Sequence, residues 1–287
     1  ALSVVGCLPE PVKYYIASLA VENKARGTID GYRRDLVRFF GAIRKPIDQI
    51  TTNDVRVYLY NYQAEHNIKK STVEHLRVVI NAFLNWCASE EYIPKNPASK
   101  IKPIAYQRGT RHAITMLELE RMRSACTTRR QKAILDFMYS TGCRVSEVAA
   151  VVMNDIDWNS KTVIVRHGKG DKERIVYLNS ESIVSLRAYI NERRDGSEYV
   201  FVSKRAPHGK LTNRAIENEI TAIANAAGVP GVHPHILRHT MATIALRNGM
   251  PVEQVQTILG HVSLNTTMIY AKTDTRSVAM NHERFVS

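Results

Sequence analysis

The stretch that decides the fold of the C-terminal half reads HPHILRHTMATIALRNG and spans residues 233–249. Its apolar residues recur at helical spacing: Leu237, Met241, Ile244 and Ala245. This periodicity predicts an amphipathic helix with one face in a core. Pro234 suits the first turn of that helix, where a missing N–H is harmless. His235, Arg238 and His239 stand three and four residues apart, so we expect them to share one face of the helix or its lead-in.

Two further short helices are predicted after this one. An Asn-Gly pair at 248–249 is typical of a helix C-terminus. A second helix should cover residues 252–259 and end at Gly260, which leaves His261 in a loop. A third short helix would carry Tyr270. Three consecutive elements would therefore bring two histidines, an arginine and a tyrosine towards one place.

This set of side chains suits an attack on a phosphodiester. Arginine offers a planar fork of donors that matches two phosphate oxygens, and histidine can donate a hydrogen bond or transfer a proton near neutral pH. A tyrosine has an ordinary pKa of about 10, so it needs a base or nearby cations to become a nucleophile. Nothing in this stretch demands a metal ion.

Motifs along the chain carry a resemblance to a known family. Residues 141–147 read TGCRVSE, residues 168–174 read GKGDKER between two strand-like runs, and residues 259–261 read LGH, with Tyr270 nine residues after that histidine. Together with His-x-x-Arg at 235–238, they resemble the signature of the tyrosine recombinases, the phage integrase family. Six positions match in order and at family-like spacing: Arg144, Lys169, His235, Arg238, His261 and Tyr270.

The resemblance implies a multidomain protein of α and α/β class. It implies an N-terminal four-helix, SAM-like core-binding domain and a mostly helical catalytic domain with a small antiparallel sheet, closing as a C-shaped clamp on DNA. On this sequence we expect an N-terminal extension, the core-binding domain, a basic linker, the catalytic domain and a tail that would dock onto a neighbouring subunit: residues 1–9, 10–99, 100–111, 112–275 and 276–287.

The resemblance also implies how the site would work. Tyr270 would attack the scissile phosphate and give a 3′-phosphotyrosine and a free 5′-hydroxyl. Arg144 and Arg238 would hold the non-bridging oxygens and take up charge in the transition state. Lys169 would protonate the leaving 5′ oxygen, and His235 would assist proton transfer at the tyrosine.

The last matching residue, His261, would hydrogen-bond the phosphate. Since the covalent link preserves a phosphodiester, the resemblance implies no ATP, no other cofactor and no metal ion. The partners it implies are a double-stranded DNA recombination site, a homo-tetramer on two duplexes, and accessory DNA-bending or directionality proteins.

The charge balance favours a polyanionic partner. The chain has 287 residues, enough for two domains, and 44% of them are hydrophobic, enough for each domain to form a hydrophobic core. Its formal charge is +13, with a pI near 9.6. Residues 1–100 hold 14 basic and 10 acidic residues, and the remainder holds 26 and 17. The excess therefore lies in both parts, as two basic faces around a duplex would need.

The cysteines and the hydropathy pattern indicate a compartment. Cys7, Cys87, Cys126 and Cys143 are far apart and form no C-x-x-C pair. This argues against zinc and against a disulfide framework, and it fits the reducing cytoplasm of a bacterium or archaeon. The sequence has no apolar run of about twenty residues and no signal peptide. It begins at Ala1 rather than methionine, which suggests that something upstream was removed.

Residues 10–90 read as four amphipathic helices. Thr51 with Asp54, and Ser71 with Glu74, have capping-box spacing for the third and fourth helices. Six basic residues point outward on this pattern and could contact phosphates: Arg33, Arg34, Arg38, Lys69, Lys70 and Arg77. Individually, each is more typical of a solvated surface charge.

The second half reads as a mixed domain. A capping box of Thr115 and Glu118 opens its first helix, and a later helix ends at Gly142, which puts Arg144 at the entrance of the next one. Four runs are predicted strands: 151–156, 162–165, 174–178 and 199–202. Two further runs are predicted helices: 182–190 and 213–227.

Several motifs have a plainer interpretation. Arg144 alone would suggest a surface ion pair with Glu147. The turn at 168–170 could be an ordinary hairpin or a phosphate loop, although it lacks Walker spacing. The histidines of 233–239 invite a zinc site, but a proline lies among them and no acidic or cysteine ligand is near. The helices around Gly260 could form a helix-turn-helix, and Tyr270 alone would be a packing residue.

Other functions remain open on sequence grounds. A type IB topoisomerase uses similar chemistry to relax supercoils, and a catalytically silent DNA-binding protein would also be basic and two-domained. The intact set of motif residues favours a recombinase over both. Within the family, the integrase of a mobile element is the favoured hypothesis, and a Xer-type resolvase of chromosome or plasmid dimers is the alternative.

Overall fold

The computed structural model describes residues 8–106, 112–166 and 173–260. The chain divides into two units, which we call unit 1 (Ala1–Gly109) and unit 2 (Thr110–Ser287). Each unit has its own hydrophobic core. Within the described ranges, none of the helices has the length and apolar character needed to cross a membrane.

Unit 1 contains the four predicted helices. They are α1 (Glu10–Val21), α2 (Arg26–Ile43), α3 (Thr52–His66) and α4 (Lys70–Ser89). Their inner faces carry the predicted apolar stripes, and Phe39 and Phe83 are fully buried between them. Aromatic edges pack on aromatic faces here, as between Phe83 and Tyr15 at 5.3 Å. Amphipathic periodicity alone therefore accounts for this bundle.

One of the two predicted capping boxes in unit 1 is wrong. Thr51 and Asp54 do cap α3 as predicted. Ser71, however, lies inside α4, which begins at Lys70 after an N-cap without a side-chain hydrogen bond. The carboxylate of Glu74 instead accepts hydrogen bonds from Arg77 and from the backbone N–H of Ile104. The carboxylate that the local pattern assigned to the helix cap therefore accepts a hydrogen bond from a residue 30 positions away.

Unit 2 is mostly helical around a small sheet. Its helices are α5 (Met116–Ser124), α6 (Arg129–Thr141), α7 (Val145–Ala150), α8 (Ser180–Glu192), α9 (Asn213–Ala226), α10 (Pro234–Arg247) and α11 (Val252–Leu259). Its strands are β1 (Ile156–Asp157), β2 (Thr162–Val165) and β3 (Arg174–Tyr177). The sheet is antiparallel in the order β1-β2-β3, with Val163 opposite Val176. The buried helix α6 contacts α5, α8, α9 and α10 and forms the centre of this core.

Two of the predicted strands are wrong. The run 151–156 contributes only its last residue to β1, because Met153–Asp155 forms a 3₁₀ turn. The Asp155 carboxylate accepts a hydrogen bond from the backbone N–H of Val152 and closes that turn. The run 199–202 makes two isolated bridges rather than a strand. Apart from Asn154 and Asp155, both runs consist of apolar or aromatic residues that are buried or half-buried. Periodicity could not separate burial from strand pairing.

Candidate functional site

The helix predicted from residues 233–249 positions the centre of the site. It is α10, which starts at Pro234 with His233 as its N-cap and ends at Arg247, with Asn248 as its C-cap and Gly249 following at φ +90°. His235 and Arg238, three residues apart, both line one cleft. His239, which the spacing placed on the same face, is buried and is not among the residues that line this cleft.

The cleft lies within unit 2 and has a volume of about 540 Å³. Its walls come from the start of α7, the outer face of α9 and the start of α10: Cys143, Arg144, Val145, Arg214, Glu217, Asn218, Thr221, His233, Pro234, His235 and Arg238. Three arginines against one carboxylate give this wall a net positive charge. The cleft therefore suits an anionic ligand.

Arg238 is held rigidly at the base of the cleft. The residue is only 2% exposed. One terminal nitrogen donates to the carbonyl oxygen of Gly142 at 2.6 Å, and the other donates to that of Leu259 at 2.7 Å. These carbonyls end α6 and α11, where the helix dipole is negative and favours a cation. The guanidinium thus joins two helix ends and has a fixed orientation.

Arg144 approaches the same helix end from another side. It is the N-cap of α7, and its Nη1 donates to Glu147 at 2.8 Å. Its Nη2 donates to the carbonyl oxygen of Gly260 at 3.3 Å. The side chain remains 30% exposed, in contrast to Glu147 at 3%. The ion pair considered as the plainer interpretation therefore exists, but its acid is buried and its arginine faces the cleft.

Glu147 is charged despite its burial. Burial alone would raise its pKa, but hydrogen bonds from Arg174, from the backbone N–H of Arg144 and the charges of both arginines lower it. The carboxylate is thus a permanent anion at neutral pH. It holds its cationic neighbours in place and lies too deep to contact a ligand directly.

Backbone conformation and close packing explain why position 142 of the TGCRVSE motif is a glycine. It adopts φ +61°, a left-handed conformation that favours glycine. A Cβ at this position would collide with the Met241 side chain and lie 3.1 Å from that of Leu259. The glycine therefore lets the end of α6 approach α10 and α11, which brings its carbonyl within reach of Arg238.

Cys143 lies between these groups but is not a nucleophile. The residue is 1% exposed, and burial raises the pKa of its thiol to about 11. A thiol with that pKa is protonated at neutral pH and unreactive. In the described part of the chain, no group of three or more histidine, cysteine and acidic residues could hold a metal ion.

Three of the six predicted site residues lie outside the described residues: Lys169, His261 and Tyr270. Their chain neighbours are described. The strands β2 and β3 pair on either side of residues 167–172, as the predicted hairpin requires. Gly260 ends α11 at φ +63°, directly before His261.

Sequence reasoning missed Arg174. Its side chain forks onto both oxygens of Glu147 at 2.9 and 2.7 Å and also donates to the carbonyl of Ile258. Nothing in the sequence near Arg174 indicates a partner 27 residues upstream. The α9 wall, including Arg214 and Asn218, was likewise predicted only as a helix.

Comparison with known families gives two matches that together span most of the chain. The phage integrase family matches residues 113–276. The N-terminal SAM-like domain of phage integrases matches residues 13–93.

Similar individual proteins are named tyrosine recombinases. The tyrosine recombinase XerC of Oceanobacillus iheyensis is 32% identical over 275 residues, covering 89% of this chain and 89% of that protein. The tyrosine recombinase XerA of Pyrococcus horikoshii is 30% identical over 261 residues, covering 90% of this chain and 87% of that protein.

Solved structures share the fold. The crystal structure of XerA recombinase is 28% identical, with a TM-score of 0.56 over 96% of this chain and 97% of that one. The Tn1549 transposon integrase in complex with transposon right end DNA is 18% identical, with a TM-score of 0.77 over 96% and 99%. The second likeness is one of fold alone.

Proposed function

The chain belongs to the phage integrase family, and from that premise we propose how its site acts. The family consists of tyrosine recombinases, so the chain is an enzyme that cleaves and rejoins DNA strands at specific sites. One observation supports the proposed site most directly. Arg144 and Arg238 converge on adjacent carbonyls at the end of α11, and both line one cleft with His235. Fixed cations in an open cleft are suited to the charge of a phosphoryl transition state.

The proposed first step is a displacement at phosphorus. The Tyr270 oxygen attacks, the phosphotyrosine bond forms, and the bond to the 5′ oxygen breaks. His235 assists removal of the tyrosine proton, and Lys169 gives a proton to the departing oxygen. Arg144 and Arg238 stabilise charge on the non-bridging oxygens. Attack by the 5′-hydroxyl of another strand then restores a phosphodiester, so the cycle consumes no external energy.

The proposed substrate is a double-stranded recombination site. The formal charge of +13 supports a polyanionic partner, and the Tn1549 transposon integrase, which shares the fold, was solved in complex with transposon right end DNA. In this proposal, His261 adds a hydrogen bond to the phosphate, and the two domains close on DNA as a C-shaped clamp. Four copies would act on two duplexes, with accessory DNA-bending or directionality proteins.

A nicked suicide substrate tests this proposal. A nick shortly downstream of the scissile phosphate lets the short fragment with the new 5′-hydroxyl diffuse away, so the covalent complex accumulates and is detected by gel electrophoresis. We expect a protease-sensitive adduct with the natural chain and none with Tyr270→Phe, which loses only the hydroxyl and should still bind DNA. An adduct with the Phe variant would show that another residue is the nucleophile. Strand exchange between two labelled sites separates recombination from simple relaxation.

For the biological role we propose two candidates that this assay can be extended to separate. The sequence favoured the integrase of a mobile element. The XerC and XerA relatives, 30–32% identical over about nine-tenths of the chain, support dimer resolution instead. A resolvase should delete DNA between two directly repeated chromosomal sites, and its loss should leave chromosome dimers. An integrase should join a circular element to a separate target.

A further inference from the structure

Arg174 lies where three segments of unit 2 meet. It is the first residue of β3, and its side chain is 8% exposed. Its Nε donates to the carbonyl of Ile258 in the last turn of α11 at 2.7 Å. Its terminal nitrogens donate to the two carboxylate oxygens of Glu147 at 2.9 and 2.7 Å. One buried guanidinium therefore ties a strand start to a helix end and to the first turn of α7.

Glu147 is shared between Arg174 and Arg144. Besides the fork from Arg174, it accepts from the backbone N–H of Arg144 at 2.7 Å and from its Nη1 at 2.8 Å. These four donors fill the acceptor capacity of one carboxylate. Two guanidinium groups against one carboxylate leave one positive charge on the set. Without Arg174, the same carboxylate would pair with Arg144 alone and the positive charge would be cancelled.

We propose that Arg174 is a positioning residue that offsets the charge of Glu147 and so keeps the positive charge of Arg144 available to the scissile phosphate. The inference rests on the phosphate-holding role proposed above for Arg144. Arg174 itself is absent from the residues that line the cleft. It acts through Glu147, because in a poorly screened site a carboxylate paired with Arg144 alone would cancel the positive charge that attracts the phosphate.

The LGH motif supports this arrangement. A Cβ on Gly260 would lie 3.0 Å from Cδ, 3.1 Å from Nε and 3.3 Å from Cζ of Arg174. The guanidinium thus packs directly on the backbone that precedes His261. Glycine at this position serves two purposes, since it adopts φ +63° and leaves room for the Arg174 side chain.

The test measures single-turnover cleavage of the nicked suicide substrate, well below the unfolding temperature of each variant. Arg174→Gln should cleave about tenfold to a hundredfold more slowly, somewhat less than the loss of a direct transition-state donor. Adding Glu147→Gln should recover most of that loss, because it removes the carboxylate that cancels the charge of Arg144. Arg193→Gln is the matched control: Arg193 is also 8% exposed and forks onto Asp195, so its loss should lower stability but not the cleavage rate.

A second measurement distinguishes a loss of positive charge near the phosphate from a loss of proton donation by Lys169. A sulfur in place of the 5′ bridging oxygen leaves without a proton, so it should relieve a defect in proton donation. The Arg174→Gln defect should be equal on both substrates. Relief by sulfur, no recovery in the double variant, or a rate like that of Arg193→Gln would each overturn the inference. Arg144→Ala is the reference, since a normal rate there would refute the proposed site itself.

Discussion

The two units of the chain bury different kinds of residue. Among the described residues of unit 1, Asp35 is the one polar or charged residue that is buried. The described part of unit 2 buries nine: Asp136, Thr141, Glu147, Asp155, Ser182, Ser185, Arg238, His239 and Thr240. Both units also have large apolar cores. The difference therefore lies in how many polar and charged side chains each core contains.

This difference shows what each unit is built to do. Burying a charge costs free energy unless it is paired and hydrogen-bonded, and the core of unit 1 largely avoids that cost. Unit 2 places Glu147 and Arg238 under the cleft and satisfies them with backbone carbonyls and other arginines. We infer that unit 2 accepts this cost because buried networks fix the orientation of cations that face a ligand.

The largest expected effect concerns the apolar cores, where the units should behave alike. Phe83→Ala in unit 1 and Phe201→Ala in unit 2 each remove a fully buried ring. Each should lower the free energy of unfolding by about 3–5 kcal/mol. Urea denaturation followed by fluorescence measures this, with Trp86 reporting in a Trp158→Phe background and Trp158 in a Trp86→Phe background. A loss below about 1 kcal/mol in either unit would contradict equal packing.

The second prediction concerns the charge that distinguishes unit 2. Arg238→Lys keeps the charge and the stem but cannot donate to the carbonyls of Gly142 and Leu259 from a planar fork. Cleavage of the suicide substrate should fall about 10²–10³-fold, as for loss of one transition-state donor. The matched Arg193→Lys should cleave normally. If both variants were equally slow, stability rather than orientation would explain the loss.

The contrast between the units also explains what the sequence could predict. Unit 1 follows local rules, so its four helices and the Thr51–Asp54 box were predicted correctly. Two predictions for unit 1 were wrong, the Ser71–Glu74 box and the outward position of Arg77. The Glu74 carboxylate accepts from the backbone N–H of Ile104, 30 positions away, and the Arg77 side chain is only 11% exposed because it pairs with Glu74. In unit 2, Arg144 and Arg238 were recognisable from motifs, but Arg174 was not.

That omission has a physical cause. An ion pair between residues 27 positions apart produces no periodic pattern in the sequence. An arginine at the start of a strand is also common, so the residue itself gives no signal. The run at 151–156 failed for a related reason, because a single carboxylate, that of Asp155, turned an apolar run into a 3₁₀ turn. Local sequence patterns therefore do not predict the long-range polar contacts of this fold.

The third prediction returns to unit 1 and its surface. Lys69 and Lys70 are exposed at the start of α4, where the helix dipole disfavours cations. We expect them to contact DNA phosphates rather than to stabilise the helix. Replacing both by alanine should weaken DNA binding on the order of tenfold and reduce the salt slope by about 1.8, whatever the sequence of the DNA.

Titration of fluorescent DNA between 50 and 200 mM salt checks this, since such contacts are salt-dependent. Lys24→Ala is the control, because that lysine already pairs with Glu22 at 3.5 Å. An unchanged salt slope in the double variant would place the phosphate contacts elsewhere.

The smallest expected effect is one in which the units should again agree. The carboxylate of Asp54 in unit 1 accepts hydrogen bonds from Lys45 and from Thr51, which lower its pKa to about 2. The Arg193 guanidinium similarly lowers the pKa of Asp195 in unit 2 to about 2. Because the folded-state pKa lies below the unfolded value, each group stabilises the fold above about pH 4, and the contribution is lost as pH falls towards 2. Both groups lie near the surface, so solvent screening should limit each contribution to on the order of 1 kcal/mol.

Urea midpoints of Asp54→Asn and Asp195→Asn, measured from pH 7 to pH 2, should therefore differ from the natural chain at neutral pH and converge with it in acid. A gap that persisted at pH 2 would mean that these carboxylates stabilise their units by packing rather than by charge.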